Sequence, residues 1–174
     1  DKAKVFKQLK AFKSGRYLVG GTALALQLGH RKSVDFDLFT NVKISFQDRE
    51  KVIKVFGGNL HFTADNLNQL TFLTPNSVKV TFAYTPYRPL YKLLANQSLP
   101  LPLLSVADIA SDKAFTIGRR AAYRDYVDLY FILKSGMRLE GIIKEAAKRY
   151  GAMFGEKLFL EQLEYMNDLK DRQI

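Results

Sequence analysis

The sequence predicts an α+β fold: a small mixed sheet with flanking helices, followed by a helical second half. Three observations carry that prediction. Residues 34–39 alternate strictly, with Val34, Phe36 and Leu38 on one side and Asp35, Asp37 and Phe39 on the other. Three further strand-like runs follow at 59–63, 69–74 and 78–84, the last two separated by a Pro75-Asn76-Ser77 turn. From Ser105 onward the apolar period changes from two to that of helices. The change falls in a proline-bearing stretch, which divides the chain into an α/β core (1–98) and a helical part (99–174) packed on it.

The elements read in order as follows. Residues 2–13 form an amphipathic helix, with Val5, Phe6, Leu9 and Phe12 on one stripe and lysines around the rest. That stripe is narrow and carries two phenylalanines, so the helix is expected to dock on the sheet and not on a membrane. A short strand at 16–19 runs into Gly20-Gly21, and an apolar helix at 22–28 stops at Gly29. Ser45 with Asp48 is a capping box before a helix bearing Val52, Ile53 and Phe56. After the strands, 90–95 reads as a short helix and 99–104 as a linker. Ser105 with Asp108 opens a helix to about Arg120, and further helices are expected at 123–134, 139–150 and 156–170.

Composition narrows the function classes. The chain has 174 residues, of which 47% are apolar, so it can bury a core without staples. It has no cysteine, which excludes disulfides, thiol nucleophiles and thiolate metal sites and fits a cytoplasmic location. Two histidines, His30 and His61, are too few for a histidine zinc site. No apolar run is long enough to span a membrane. The chain opens on Asp1 rather than Met, as a piece of a longer gene product would. Its net charge is +10, and the imbalance is local: residues 1–137 hold 20 basic and 10 acidic side chains, whereas 138–174 hold 7 of each. An excess of that kind attracts polyanions.

The stretch from Tyr17 to Phe39 is the most informative. It reads as strand, Gly-Gly turn, helix, loop, then a strand bearing two acids on one face. Glycines let a backbone approach phosphate, and the helix N-terminus behind them offers free N–H groups. Asp35 and Asp37 aim their carboxylates to one side and repel each other unless cations lie between them, which suits hard Mg²⁺ ions. No Gly-x-x-x-x-Gly-Lys-[Ser/Thr] loop is present. Further on, Lys113, Thr116 and Arg120 share one helical face, as do Asp125 and Asp128. One of those two aspartates is expected to be structural and paired with an arginine, with Asp125 the one assigned to chemistry.

These residues resemble a known family. Gly20-Gly21-Thr22, the loop from Gly29 to Ser33 and Asp35-Phe36-Asp37-Leu38-Phe39 are similar to the opening motif of AbiEii/AbiGii-type toxin nucleotidyltransferases, within the DNA polymerase beta-like superfamily. The similarity continues in Asp112-Lys113, Arg120 and the run from Arg124 to Leu129. It implies a nucleotidyltransferase-type sheet and a catalytic set of Asp35, Asp37, Lys113 and Asp125. Asp35 and Asp37 would bind magnesium, and Gly20, Gly21, Thr22, Arg31, Ser33, Lys113 and Arg120 would bind the nucleotide. It also implies a nucleoside triphosphate substrate, an RNA acceptor such as the 3′ end of tRNA, and a cognate antitoxin as protein partner.

One departure stands out. Such enzymes commonly present a third carboxylate from a later strand, and the matching run, Val78 to Phe82, offers Thr81. Either two aspartates suffice, with Asp125 as partial substitute, or the fold binds nucleotide or nucleic acid without efficient turnover.

Overall fold

A computed structural model describes residues 2–120 and 122–165. The 166–170 end of the helix expected at 156–170 therefore lies outside the described residues. Seven α-helices and five strands are described: α1 (Lys2–Gln8), β1 (Tyr17–Val19), α2 (Gly20–Leu28), β2 (Phe36–Thr40), α3 (Phe46–Phe56), β3 (His61–Asn66), β4 (Gln69–Leu73), β5 (Lys79–Tyr84), α4 (Val106–Ile117), α5 (Tyr123–Lys134), α6 (Leu139–Tyr150) and α7 (Glu156–Glu164). A 3₁₀ turn, Leu9–Phe12, continues α1, and a second, Gly151–Met153, follows α6. The strands form one mixed sheet in the order β1-β2-β5-β4-β3, in which only β2 and β5 run parallel.

The two faces of this sheet do different work. Phe36 and Leu38 on β2, Val80 and Phe82 on β5, and Leu70 and Phe72 on β4 are all buried. They are covered by α1, the 3₁₀ turn and α3 through aromatic packing: Phe6 stacks on Phe36 at 5.4 Å, Phe12 meets Phe82 at 4.9 Å, and Phe56 meets Phe72 at 5.2 Å. Burial of these side chains supplies the main stabilising term. Because the side-chain period of a strand is two, the alternate residues must face the other way. That opposite face carries Asp37, Thr81, Lys79, Thr71 and Gln69.

Helix ends follow the sequence signals. Gly29 caps α2 in the left-handed region at φ 63°, and its N–H donates to the Ala25 carbonyl at 2.9 Å. Ser45 and Asp48 form the capping box of α3, and Ser105 accepts the Asp108 N–H at the start of α4. Helix α4 ends at Ile117, short of the expected Arg120, where Gly118 closes it.

The 90–95 segment corrects an expectation, because it is not helical. Its first two amides, of Leu90 and Tyr91, donate to the Asp108 carboxylate at 2.7 and 3.1 Å, and Leu94 exchanges two backbone hydrogen bonds with Leu103. These bonds fix a bend at 90–91 followed by a bridge at Leu94 in place of a helix, and Leu103 in turn bridges to Leu18 of β1. The 99–104 run is thus fastened to the sheet edge, with Leu101, Leu103 and Leu104 buried.

Asp108 sits at the centre of this arrangement. It is fully buried, and besides the two amides it accepts from Ser105 Oγ at 2.8 Å and from Arg149 Nη1 at 3.2 Å. Arg149, on α6, also reaches Asp112 at 3.1 Å. Burial pushes the Asp112 carboxyl up to about 6, although Arg149 and a hydrogen bond from Tyr150 oppose the rise. Replacing Asp108 by Ala would take from the buried Arg149 guanidinium one of its two carboxylate partners and leave two amides without their acceptor. We expect Asp108→Ala to lower unfolding stability by about 3–5 kcal/mol in urea titration.

Candidate functional site

Polar residues of the sheet's second face line a cleft of about 850 Å³ against α2, α4 and α5. Its floor is formed by Asp35, Asp37, Lys79, Thr81, Thr71, Gln69 and Thr63, and its walls by Gly20, Gly21, Arg31, Ser33, Lys113, Arg120, Tyr123, Arg124 and Asp125. The acids, the glycine turn and the distant helix therefore share one concavity.

β2 supplies the acids. Asp35 precedes the strand and Asp37 lies within it, opposite Val19 of β1 and Thr81 of β5. Asp37 abuts the glycine turn so closely that a Cβ on Gly20 would lie 3.5 Å from its Oδ2, and Gly20 itself has φ +66°, a conformation glycine adopts without strain. Burial raises the Asp37 carboxyl above the ordinary range and the neighbouring Asp35 adds to the rise; Lys79, a hydrogen bond from Thr81 and Lys113 act against it. The Lys79 ammonium lies 3.8 Å from Asp35. Thr81, in turn, accepts a long hydrogen bond from Thr71 at 3.4 Å, and Thr71 accepts one from Gln69 at 2.8 Å.

The opposite wall is built on Asp128, whose side chain is fully buried. Arg31 clasps it with two hydrogen bonds, Nε to Oδ1 at 2.7 Å and Nη2 to Oδ2 at 2.9 Å. Lys113 Nζ lies 2.6 Å from Oδ2, and His30 Nε2 2.7 Å from Oδ1. Burial opposes ionisation of Asp128, but the Arg31 hydrogen bond, the charge and hydrogen bond of Lys113 and the His30 bond outweigh it, pulling the carboxyl down to about 2. Asp125, one helical turn earlier, is also buried and engaged: Lys113 donates to it at 2.7 Å, and Arg120 donates through Nε and Nη2 at 3.2 and 3.1 Å.

Each site residue read from the sequence can now be placed. Asp35, Asp37, Gly20, Gly21, Arg31, Ser33, Lys113, Arg120 and Asp125 all line the cleft. Thr22 lies just behind it, with its hydroxyl bonded to Ser33 Oγ at 2.7 Å and to the Asp35 carbonyl, so it ties the turn to the acidic strand. Thr116 turns away and donates to the Asp112 carbonyl at 2.6 Å. Asp128 takes the arginine-paired role expected of one of the two aspartates, yet Asp125 is paired as well.

The sequence reading missed the full extent of the floor. Gln69 and Thr71 alternate with Leu70 and Phe72 just as Lys79 and Thr81 alternate with Val80 and Phe82, and that period-two signal would have found them. It also assigned His30 no role beyond setting aside a zinc site. The ring is buried against Asp128 and lies 5.3 Å from Phe131.

Among known proteins, the family described as nucleotidyl transferase AbiEii toxin of type IV toxin–antitoxin systems matches residues 8–174. An uncharacterised protein of Aquifex aeolicus (strain VF5) is 31% identical over 163 residues, 89% of this chain and 75% of its own length. Among solved structures, the nucleotidyltransferase toxin MenT4 of Mycobacterium tuberculosis H37Rv aligns with TM-score 0.64 at 20% identity, over 98% of this chain and 72% of its own. JHP933 of Helicobacter pylori aligns with TM-score 0.58 at 17% identity, over 92% and 84%. At such identities the structural matches establish the fold.

Because the Asp128 carboxyl is held well below the usual 3.8, its contribution to stability is present above about pH 4 and is lost as pH falls toward 2. Replacing it by Asn leaves Arg31 and Lys113 beside a neutral amide. Asp128→Asn should cost about 3–5 kcal/mol at pH 7 by urea titration. The gap to the parent should close as the titration is repeated from pH 4 downward.

Proposed function

The chain belongs to the AbiEii nucleotidyltransferase toxin family, and on that footing we propose that its cleft transfers a nucleoside monophosphate from a nucleoside triphosphate to an RNA 3′ hydroxyl. The observation that carries this reading is the opposition of charges across one concavity. The Asp35–Asp37 pair stands on the floor, and Gly20, Gly21, Arg31, Lys113 and Arg120 stand on the facing wall. A triphosphate is the ligand class that uses both sides at once.

Asp35 and Asp37 fit a divalent cation. The Asp37 carboxyl is raised by burial and by its acidic neighbour, so a bound cation would relieve an existing penalty. Among the described residues no group of three or more acids or histidines converges there. The remaining ligands would thus be phosphate oxygens and water, which is the usual arrangement for Mg²⁺. Bound there, the ion would neutralise charge at the α-phosphate and lower the pKa of the attacking hydroxyl.

The chain's own groups do the rest. The free N–H groups at the start of α2, reached through Gly20 and Gly21, donate to phosphate oxygens, and Lys113 and Arg120 hold the β- and γ-phosphates. Asp125 keeps those two cations in place, since Lys113 and Arg120 already occupy its oxygens. The acceptor oxygen attacks the α-phosphorus in line, the bond to the bridging oxygen breaks, and pyrophosphate leaves along the cationic wall. The acceptor's proton passes to the aspartate pair. As a toxin of this family the protein would act in the cytoplasm and be restrained by a cognate antitoxin. In the described residues no helix is long and apolar enough to cross a membrane.

Thr81 favours a second reading, a fold kept for nucleic-acid binding without turnover. It stands beside Asp37 on the neighbouring strand, where a third carboxylate would complete an acid triad. One assay separates the two: incorporation of radiolabelled nucleotide into bulk tRNA in Mg²⁺ by the parent, Asp35→Asn and Asp37→Asn. We expect each variant to lose at least 100-fold. Equal incorporation by parent and variants contradicts the proposal, and RNA binding with no incorporation by any of the three favours the second reading.

A further inference from the structure

The positive excess of the chain is not spent in the cleft alone. Residues 2–16 contain six basic side chains and no acidic one. Within them Lys4, Lys7, Lys10 and Lys13 recur every three residues and are all exposed, while Val5, Leu9 and Phe12 face the core. Given the rise per residue of α- and 3₁₀-helices, those four ammonium groups span roughly 15 Å.

Helix α3 extends the same surface. Phe12 stacks on Phe56, and Gln8 Nε2 donates to the Val55 carbonyl at 2.8 Å, so α3 lies alongside. From it Lys51 reaches over the Phe12 ring at 5.2 Å, and Lys54 follows one turn later; both are exposed. None of these six lysines forms an ion pair among the described residues. The two acids of α3 are Asp48, which pairs with Arg16, and Glu50. Six like charges held together cost free energy, and the side chains that pack beneath them do not require lysine at the exposed positions.

Two further observations give the ridge a direction. At one end, Lys2 lies over the Phe36 ring at 5.4 Å and within the electrostatic reach of Asp35 and Arg31, two residues that line the cleft. At the other end, Lys10 and Lys13 border a groove of about 430 Å³ with Asn96, Gln97, Leu99 and Pro100. That volume accommodates a nucleoside, and its walls combine amide groups with apolar rings.

We propose that the lysine ridge of α1, the 3₁₀ turn and α3, with the groove at its far end, is a binding surface for the phosphodiester backbone of RNA, separate from the catalytic cleft. An acidic protein is the competing occupant, but stable protein interfaces bury an apolar and aromatic centre. Here the exposed positions of α1 and the turn are Ala3, Lys4, Lys7, Lys10, Ala11 and Lys13. α3 adds the exposed apolar side chains Phe46 and Ile53, but cations dominate the ridge and their even spacing on α1 and the turn matches a phosphate chain.

This surface gives a place to the RNA acceptor proposed above, and the test reads binding alone so that the two can fail separately. Fluorescence anisotropy of bulk tRNA, labelled and blocked at its 3′ end, would be recorded in EDTA for the parent and for a Lys4→Gln/Lys7→Gln/Lys10→Gln/Lys51→Gln variant. Glutamine keeps most of each stem, and a circular dichroism spectrum and urea midpoint equal to the parent's show that the variant is folded. We expect at least tenfold weaker binding and a salt slope shallower by about 2–3, near 0.7 for each phosphate contact removed. Unchanged RNA affinity overturns the proposal. So does a variant that loses binding to polyglutamate but not to tRNA, which would assign the ridge to an acidic protein. Failure of nucleotide incorporation leaves this inference standing.

Discussion

The site depends on a buried carboxylate that faces no substrate. Asp128 gathers Arg31 and His30 from the loop after α2, and Lys113 from α4, onto α5. The loop would otherwise leave Arg31 free in solvent, and Lys113 would be a buried ammonium with a single partner. The cost of desolvating Asp128 is met by four close donor contacts, which is the condition under which a buried ionic group is tolerable. The consequence is positional. Two elements distant in sequence, the loop after α2 and α4, present cations at fixed points, and a Cβ on Gly21 beneath them would collide with the Arg31 guanidinium that Asp128 holds.

The sheet contributes the complementary constraint. Its period of two obliges any strand that packs phenylalanines on one face to display its other residues opposite. Once Phe36, Leu38, Val80 and Phe82 are committed to α1 and α3, Asp37 and Thr81 have no choice but the cleft. The aromatic core and the acidic floor are thus two consequences of one register, the parallel pairing of β2 with β5. The same layer that buries the phenylalanines also carries the lysine ridge, so the cleft floor and the ridge are set by one sheet.

Much of this was legible in the sequence because the signals were local. Alternation at 34–39 placed the acids, the Ser45–Asp48 box opened α3, and Gly29 ended α2. Helical spacing brought Lys113 and Arg120 to one side, although α4 stops before Arg120. What escaped was non-local. Nothing near 90–95 announces that Asp108, many residues later, will take two of its amides and keep it from forming a helix. Nothing near His30 shows that it will meet Asp128 rather than a phosphate. Asp125 and Asp128 are equivalent by spacing, and only the folded positions of Arg31 and Arg120 reveal that each is claimed by a different arginine.

In the proposed function, the acid pair and the cationic wall hold one triphosphate between them through a divalent ion. Isothermal titration of the parent protein with ATP, CTP, GTP and UTP, in Mg²⁺ and again in EDTA, addresses it most directly. Saturable binding of at least one nucleotide in Mg²⁺ that disappears in EDTA is the predicted result. Binding of equal strength in both buffers, or none in either, would contradict it.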